Sequence, residues 1–235
     1  MAQKTSKAAV LVKKKSWLPI IAPGLFNNQP IGEMYIDDEA DPAKRRVTVS
    51  LMVLTGDPQR QNVHISLDVT KKENNQILTT TTGYSIAPAA VRKMMRRARE
   101  RVDDSFVTKT KDDIAVRIKP VLITRGRAQG GVMRDVRSQM RAFIVRGVAT
   151  MTFVDFIREL VAHKFQRQLQ DALRKIYPLQ TCELRDVHIE TSEKRLKNIL
   201  IAPPLPVKPA EKVEEKPAEA PVQEENKEAQ TEETA

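Results

Sequence analysis

Val63, Ile65, Leu67 and Val69 recur at every second position, and Val47, Val49, Leu51 and Val53 show the same spacing earlier in the chain. A period of two places each set on one face of a strand, so both runs read as half-buried strands of a sheet. Between them Thr55-Gly56-Asp57-Pro58 supplies the turn chemistry of a hairpin or short loop, which makes the pair antiparallel. Ile77 to Tyr84 and Ile114, Val116 and Ile118 add two further strands. A last strand, from about Cys182 to Ile189, loses its phase between Leu184 and Val187, which predicts a bulge or two short pieces there.

Helical spacing interrupts this pattern three times. Val91, Met95, Ala98 and Val102 form the buried stripe of a helix starting after Pro88. Val132, Val136, Met140 and Phe143 form a second, with Gly147 as its stop signal. A third runs from about Phe153 to Ile176, with Thr152 and Asp155 placed as a capping box and Pro178 ending it. Ahead of the sheet, Pro19, Pro23, Pro30, Gly24 and Gly32 exclude a long helix, while Trp17, Ile20, Leu25 and Phe26 can bury against a core. The expected fold is α+β: a largely antiparallel sheet or partly closed barrel, built from residues 30–124 and the strand near 182–190, with three packed helices.

Charge divides the chain. Residues 203–235 carry nine glutamates and four lysines, a net of −5, which leaves +15 on residues 1–202 of a chain whose total is +10. Rich in Pro, Glu, Ala and Lys and lacking aromatics, this tail has too little apolar surface to offset an ordering entropy of about 1–2 kcal/mol per residue, and is expected to be disordered. Residues 1–16 read as a flexible basic arm with five lysines and no acid. Residues 17–202 are then one core domain.

An excess of that size calls for a polyanionic partner. On the first helix Arg92, Arg96 and Arg99 follow i, i+4, i+7, with Lys93, Arg97 and Arg101 in the adjacent row. Exposed helix faces ordinarily mix signs, and these cations repel one another unless phosphates lie between them. Arg134, Arg137 and Arg141 repeat the design on the second helix. Before it, Arg125-Gly126-Arg127-Ala128-Gln129-Gly130-Gly131 is a glycine-rich basic loop suited to phosphate oxygens, expected to be mobile until RNA orders it. Lys13, Lys14 and Lys15 flank Trp17, the one aromatic placed to stack on a base. Only 4% of residues are aromatic, so gripping folded RNA by backbone and shape fits better than a single-strand reader.

Catalytic signals are weak. His64, His163 and His188 are widely separated, and none pairs with a His or Cys at metal-ligand spacing. His64 reads as a solvent-facing residue and Cys182 as a small core residue. Asp37, Asp38, Glu39 and Asp41 read as a solvated turn rather than a Mg²⁺ cluster. No nucleotide fingerprint or nucleophile elbow appears, so no enzyme, cofactor, metal or small-molecule substrate is expected. No segment approaches the ~20 apolar residues that span a bilayer. The single cysteine and the absence of a leader suggest a reducing cytoplasm.

Several segments, in order, resemble the archaeal and eukaryotic small-subunit ribosomal proteins of the S-three-a-e (S-one-e) family. These are Lys14-Lys15-Ser16-Trp17 leading to Ala22-Pro23 and Phe26, then Ile31-Gly32-Glu33, Leu54-Thr55-Gly56-Asp57 and Ile176-Tyr177-Pro178-Leu179. Leu54-Thr55-Gly56-Asp57 is similar to the archaeal branch in particular, and Ile176-Tyr177-Pro178-Leu179 to the family's ending of its long helix. Arg127, Arg137 and Arg141 fall where that family places basic residues. The resemblance covers residues 14–190. It implies a non-catalytic constituent of the small-subunit platform, near the mRNA exit and the 3′ end of the rRNA. Its partners would be small-subunit rRNA, neighbouring ribosomal proteins and mRNA near the exit. A free-standing RNA-binding or translation factor is the alternative.

Overall fold

The computed structural model describes residues 15–37, 42, 45–191 and 199–200. Lys13, Lys14, the acids at 38–41 and the tail at 203–235 lie outside them. The strands are β1 (Lys15–Ile21), β2 (Pro30–Asp37), β3 (Arg46–Ser50), β4 (Val63–Glu73), β5 (Gln76–Ile86), β6 (Arg101–Asp103), β7 (Phe106–Lys109), β8 (Ala115–Thr124), β9 (Leu179–Ile189) and β10 (Ile199–Leu200). The α-helices are α1 (Leu51–Thr55), α2 (Pro88–Met94), α3 (Gly130–Thr150), α4 (Phe153–Val161) and α5 (Lys164–Arg174).

The strands form one ten-stranded sheet, ordered β10-β7-β8-β9-β5-β1-β2, with β3 and β4 adding to β5 and β6 to β8. It is largely antiparallel, β1/β5 and β10/β7 being the parallel pairs. It branches rather than closes, so the barrel alternative is set aside: β5 pairs with β4 along its length, with β9 at Gly83–Ser85 and with β1 at Ile77–Leu78. Gly83 permits this crowding, because a Cβ there would lie 3.1 Å from the Val187 carbonyl oxygen. The phase change near the end of the chain is a bulge: Lys119 pairs with Asp186 but Pro120 with Leu184, leaving Arg185 as the extra residue.

The alternating positions of β4 are buried, including Ile65 and Leu67, and join Tyr84, Ile118, Leu122 and the inner faces of α3, α4 and α5 in the main core. A smaller cluster of Leu18, Ile20, Ile36, Val69 and Ile77 sits beneath β1 and β2. β1 was not expected as a sheet member, because its prolines read as turn signals. Leu18 and Ile20 nevertheless alternate inward, and β1 begins at Lys15.

One strand and two helix expectations change, and five α-helices stand where three were expected among the described residues. The run Val47 to Val53 does not stay extended. Ser50 ends β3, its hydroxyl accepts a hydrogen bond from the Met52 N–H, and α1 follows, closed by Gly56 at φ 76°; local side-chain capping competes successfully with the sheet ladder. The first predicted helix stops at Met94. Met95 is extended, Ala98 turns at φ 63°, and Val102 is buried in β6 opposite Leu122. The third is cut in two at His163, φ 55°, although the Thr152 cap is present, its hydroxyl accepting from the Asp155 N–H. At the cut, Gln166 Nε2 donates to the Leu160 carbonyl at 3.1 Å and Arg60 Nη1 to the Val161 carbonyl at 2.7 Å. The end of α4 is thus satisfied from outside the helix.

Gly147 does not stop the second helix; it lies inside α3, where α5 packs against it. A Cβ at 147 would stand 2.8 Å from Phe165 Cε2, and Phe165 is held in turn by Phe143 and Phe156, with ring centroids 5.8 and 5.2 Å away. Gly147→Ala therefore gains about 1 kcal/mol of helix propensity but meets an overpacking cost of about 1–3 kcal/mol. A net loss of stability in denaturant unfolding is expected, with Gly147→Val more severe. A stabilised Gly147→Ala would show that the ring can move aside.

Candidate nucleic-acid interface

Short-range pairing gathers cations that are distant in sequence. β6 pairs with β8 so that Arg101 opposes Ile123. Just beyond, the Thr124 N–H donates to the Glu100 carbonyl at 3.0 Å and the Glu100 N–H donates to Thr124 Oγ1 at 2.9 Å. This lays the segment carrying Arg96, Arg97 and Arg99 beside the one carrying Arg125 and Arg127. A third segment joins them: the Arg125 N–H donates to the Pro178 carbonyl at 3.1 Å, and Tyr177 Oη donates to the Arg127 carbonyl at 2.8 Å. That contact brings in Arg174 and Lys175 at the end of α5. Arg92, Lys93, Arg96, Arg97, Arg125, Arg127, Arg174 and Lys175 are all exposed.

Three connections therefore converge here, and Arg96, Arg97 and Arg99, expected on a helix, lie beyond the end of α2. Arg92 and Lys93 lie on α2, Arg96 and Arg97 on the turn after it, and Arg101 in β6, where it pairs with Asp103. Arg99 is half-buried, and its Nη1 has no hydrogen-bond partner among the described residues. The glycine-rich loop is shorter than expected. Thr124 Oγ1 donates to the Gly126 carbonyl at 2.6 Å, both flanking arginines are tied through their backbones, and Gly130 and Gly131 are the first residues of α3. The exposed N–H groups of that first helical turn open beside Arg127, an arrangement that favours anions. Arg174 and Lys175 escaped the sequence reading because on α5 they look like ordinary surface residues; only the Tyr177 contact places them here.

On α3, Arg134, Arg137 and Arg141 are all exposed, and Arg141 in addition makes a two-pronged pair with Asp104, Nε to Oδ2 and Nη2 to Oδ1, the latter at 2.8 Å. Burial pushes the Asp104 pKa up, but the hydrogen bond of Arg141, that of the Ser105 N–H and the charges of Arg141 and Arg137 outweigh it and hold the carboxyl below its ordinary value. Arg141 is thus already paired within the protein. Arg141→Ala removes the two-pronged partner of a carboxylate that is 8% exposed and leaves it the Ser105 N–H and the charge of Arg137, with an expected stability loss of about 1–2 kcal/mol and little change in the salt dependence of RNA binding. A shallower salt slope with unaltered stability would return Arg141 to the interface.

Other cations are likewise neutralised. Arg46 pairs with Asp68 at 2.7 Å, Arg117 with Glu190 at 2.7 Å and Lys119 with Asp186 at 2.6 Å. Asp186 is held down to about 2, because hydrogen bonds and charge from His188 and Lys119 overcome the upward push of burial. His64 is half-exposed, and Cys182 is buried with its thiol pKa raised by burial and by Glu183. Among the described residues no group of three His, Cys, Asp or Glu could hold a metal, and no helix is long and apolar enough to cross a membrane. Asp37 ends β2, 3.7 Å from Lys15. Trp17 stands on β1, away from the three converging segments in the strand order.

The profile of the Ribosomal S3Ae family matches residues 3–193. The chain is 30% identical over 184 residues to the small ribosomal subunit protein eS1 of Nanoarchaeum equitans, covering 78% of this chain and 93% of that one. It is 28% identical over 177 residues to the eS1 protein of Saccharolobus islandicus, covering 75% and 85%. With that of Methanothermobacter thermautotrophicus it shares 28% over 172 residues, covering 73% and 88%.

Proposed function

Since this chain belongs to the Ribosomal S3Ae family, whose members are structural ribosomal proteins and not enzymes, we propose that it is a constituent of the small ribosomal subunit that grips rRNA at the junction of three cationic segments. The observation that carries this reading is the hydrogen-bonded convergence of residues 96–101, 125–127 and 174–178, which carry the exposed Arg96, Arg97, Arg125, Arg127, Arg174 and Lys175 besides Arg101, already paired with Asp103. Cations fixed on a scaffold neutralise phosphates and release condensed counterions without much ordering of the protein. Arg134 and Arg137 extend the surface along α3. In this reading the protein works in the cytoplasm at the subunit platform, meets neighbouring ribosomal proteins and lies near the mRNA exit.

The test is association and position together. The protein should stay with small subunits through a high-salt wash, and crosslinks from Arg97, Arg125 and Arg127 should fall on rRNA close to its 3′ end. Release of the protein into the supernatant would favour a factor acting outside the ribosome, and crosslinks elsewhere on the rRNA would refute the location.

A further inference from the structure

Trp17 is the single tryptophan of the chain and, among the described residues, the most exposed large apolar side chain, at 65%. Its cross-strand partner is Tyr35, itself 50% exposed, with ring centroids 5.1 Å apart at an interplanar angle of 35°. Alternation explains the placement. Leu18, Ile20 and Ile36 turn into the smaller core, so Trp17 and Tyr35 must share the outer face. The Lys15 ammonium lies 5.8 Å from the Tyr35 ring centre. Such a pair is a rigid apolar surface left in water, with a cation at one end and two more lysines preceding it in sequence. It belongs to β1 and β2, not to the three converging segments.

The geometry points to a nucleobase-stacking site on Trp17 and Tyr35, which takes an unpaired base of single-stranded RNA while Lys15 meets the adjoining phosphate. This rests on the reading that the chain binds RNA, and adds a second site of different chemistry. Tyr35 was absent from the sequence reading; on β2 it resembles a strand residue that packs inward. Ring faces accept any base, so the site selects unstacked nucleotides over duplex rather than one base over another. Charge orients the strand. Asp37 is engaged by Lys15 at 3.7 Å, while Glu33, opposite Pro19, is exposed at the other end and repels phosphate. The backbone of the RNA therefore leaves toward Lys15. A polypeptide could cover two rings equally well, but Lys15 beside Tyr35 and the net charge of +15 on residues 1–202 favour a polyanion.

Because no other tryptophan contributes, the fluorescence of the full-length protein reports on Trp17 alone. Titration with a single-stranded oligouridine or oligoadenosine should quench it saturably, and a blunt RNA duplex of equal length should bind without comparable quenching. Tyr35→Ala should weaken single-strand affinity by roughly ten-fold, and Trp17→Ala by at least as much as measured by filter binding. Neither should alter the salt slope or, since both side chains are exposed, the thermal transition. Trp17→Phe should retain most of the binding. Equal quenching by duplex and single strand, or wild-type affinity in both alanine variants, overturns the site. If rRNA binds with its full salt dependence while no single strand quenches Trp17, the cationic junction stands, and the platform belongs to a polypeptide neighbour. If no RNA binds at all, the reading beneath it fails.

Discussion

Replacing Arg96, Arg97, Arg125 and Arg127 together by glutamine is expected to make the slope of log affinity for rRNA against log salt shallower by roughly three units, at about 0.7–0.9 per phosphate released. If the electrostatic contribution vanishes near 1 M salt, three units of slope correspond to about a thousand-fold loss of affinity at 0.1 M. The fold should survive, because all four side chains are exposed and none forms an ion pair among the described residues. Arg46→Gln is the matched control, since its guanidinium is already held by Asp68 at 2.7 Å, and it should leave the slope unchanged. A quadruple variant that binds with the original slope would remove the junction from the interface.

The second large effect concerns stability. Glu183 lies on β9 with its Oε2 buried and unpartnered among the described residues, as are the Tyr84 hydroxyl and Gln166 Oε1. Burial pushes the Glu183 pKa up to about 7. His163 Nδ1 is 4.0 Å away, but burial, assisted by Arg60 and Arg167, lowers the His163 pKa, so the imidazole is neutral where Glu183 ionises and offers no counter-charge. The folded state therefore holds the Glu183 proton more tightly than the unfolded one. Its contribution to stability is complete below an ordinary carboxylate pKa of about 4.3, and is lost as pH rises through about 7. Glu183→Gln should thus be more stable than the parent by about 3 kcal/mol at pH 8 and nearly equal to it at pH 4.5. His163 pulls stability the opposite way, losing it as pH falls through its unfolded pKa, but it is present in both proteins and largely cancels. Parallel unfolding curves at pH 5 and pH 8 make the check. An equal difference at the two values would mean that Glu183 is solvated.

Strong local patterns settled much of this protein in advance. The period-two runs established an antiparallel sheet because one slipped residue would turn an entire hydrophobic face to water. The phase break after Leu184 marked the bulge at Arg185 for the same reason. The excess of basic residues and the lack of catalytic spacing pointed to a polyanionic partner, and the ordered segments from Lys14-Lys15-Ser16-Trp17 to Ile176-Tyr177-Pro178-Leu179 pointed to the family. Tertiary packing decided what periodicity leaves degenerate. Val102 fits a helix stripe and a strand equally well, and the buried place opposite Leu122 made it a strand, which moved Arg96 and Arg97 from a helix face to a turn. Gly147 reads as a helix stop, but the approach of Phe165 made it a packing site. Arg141 and Arg137 are indistinguishable by spacing; Asp104, brought from a distant loop, forms its hydrogen bonds with Arg141, while Arg137 acts on it by charge alone. Spacing along a chain reports which residues share a face, whereas a charge becomes available or neutralised only when another segment arrives, and that depends on contacts remote in sequence.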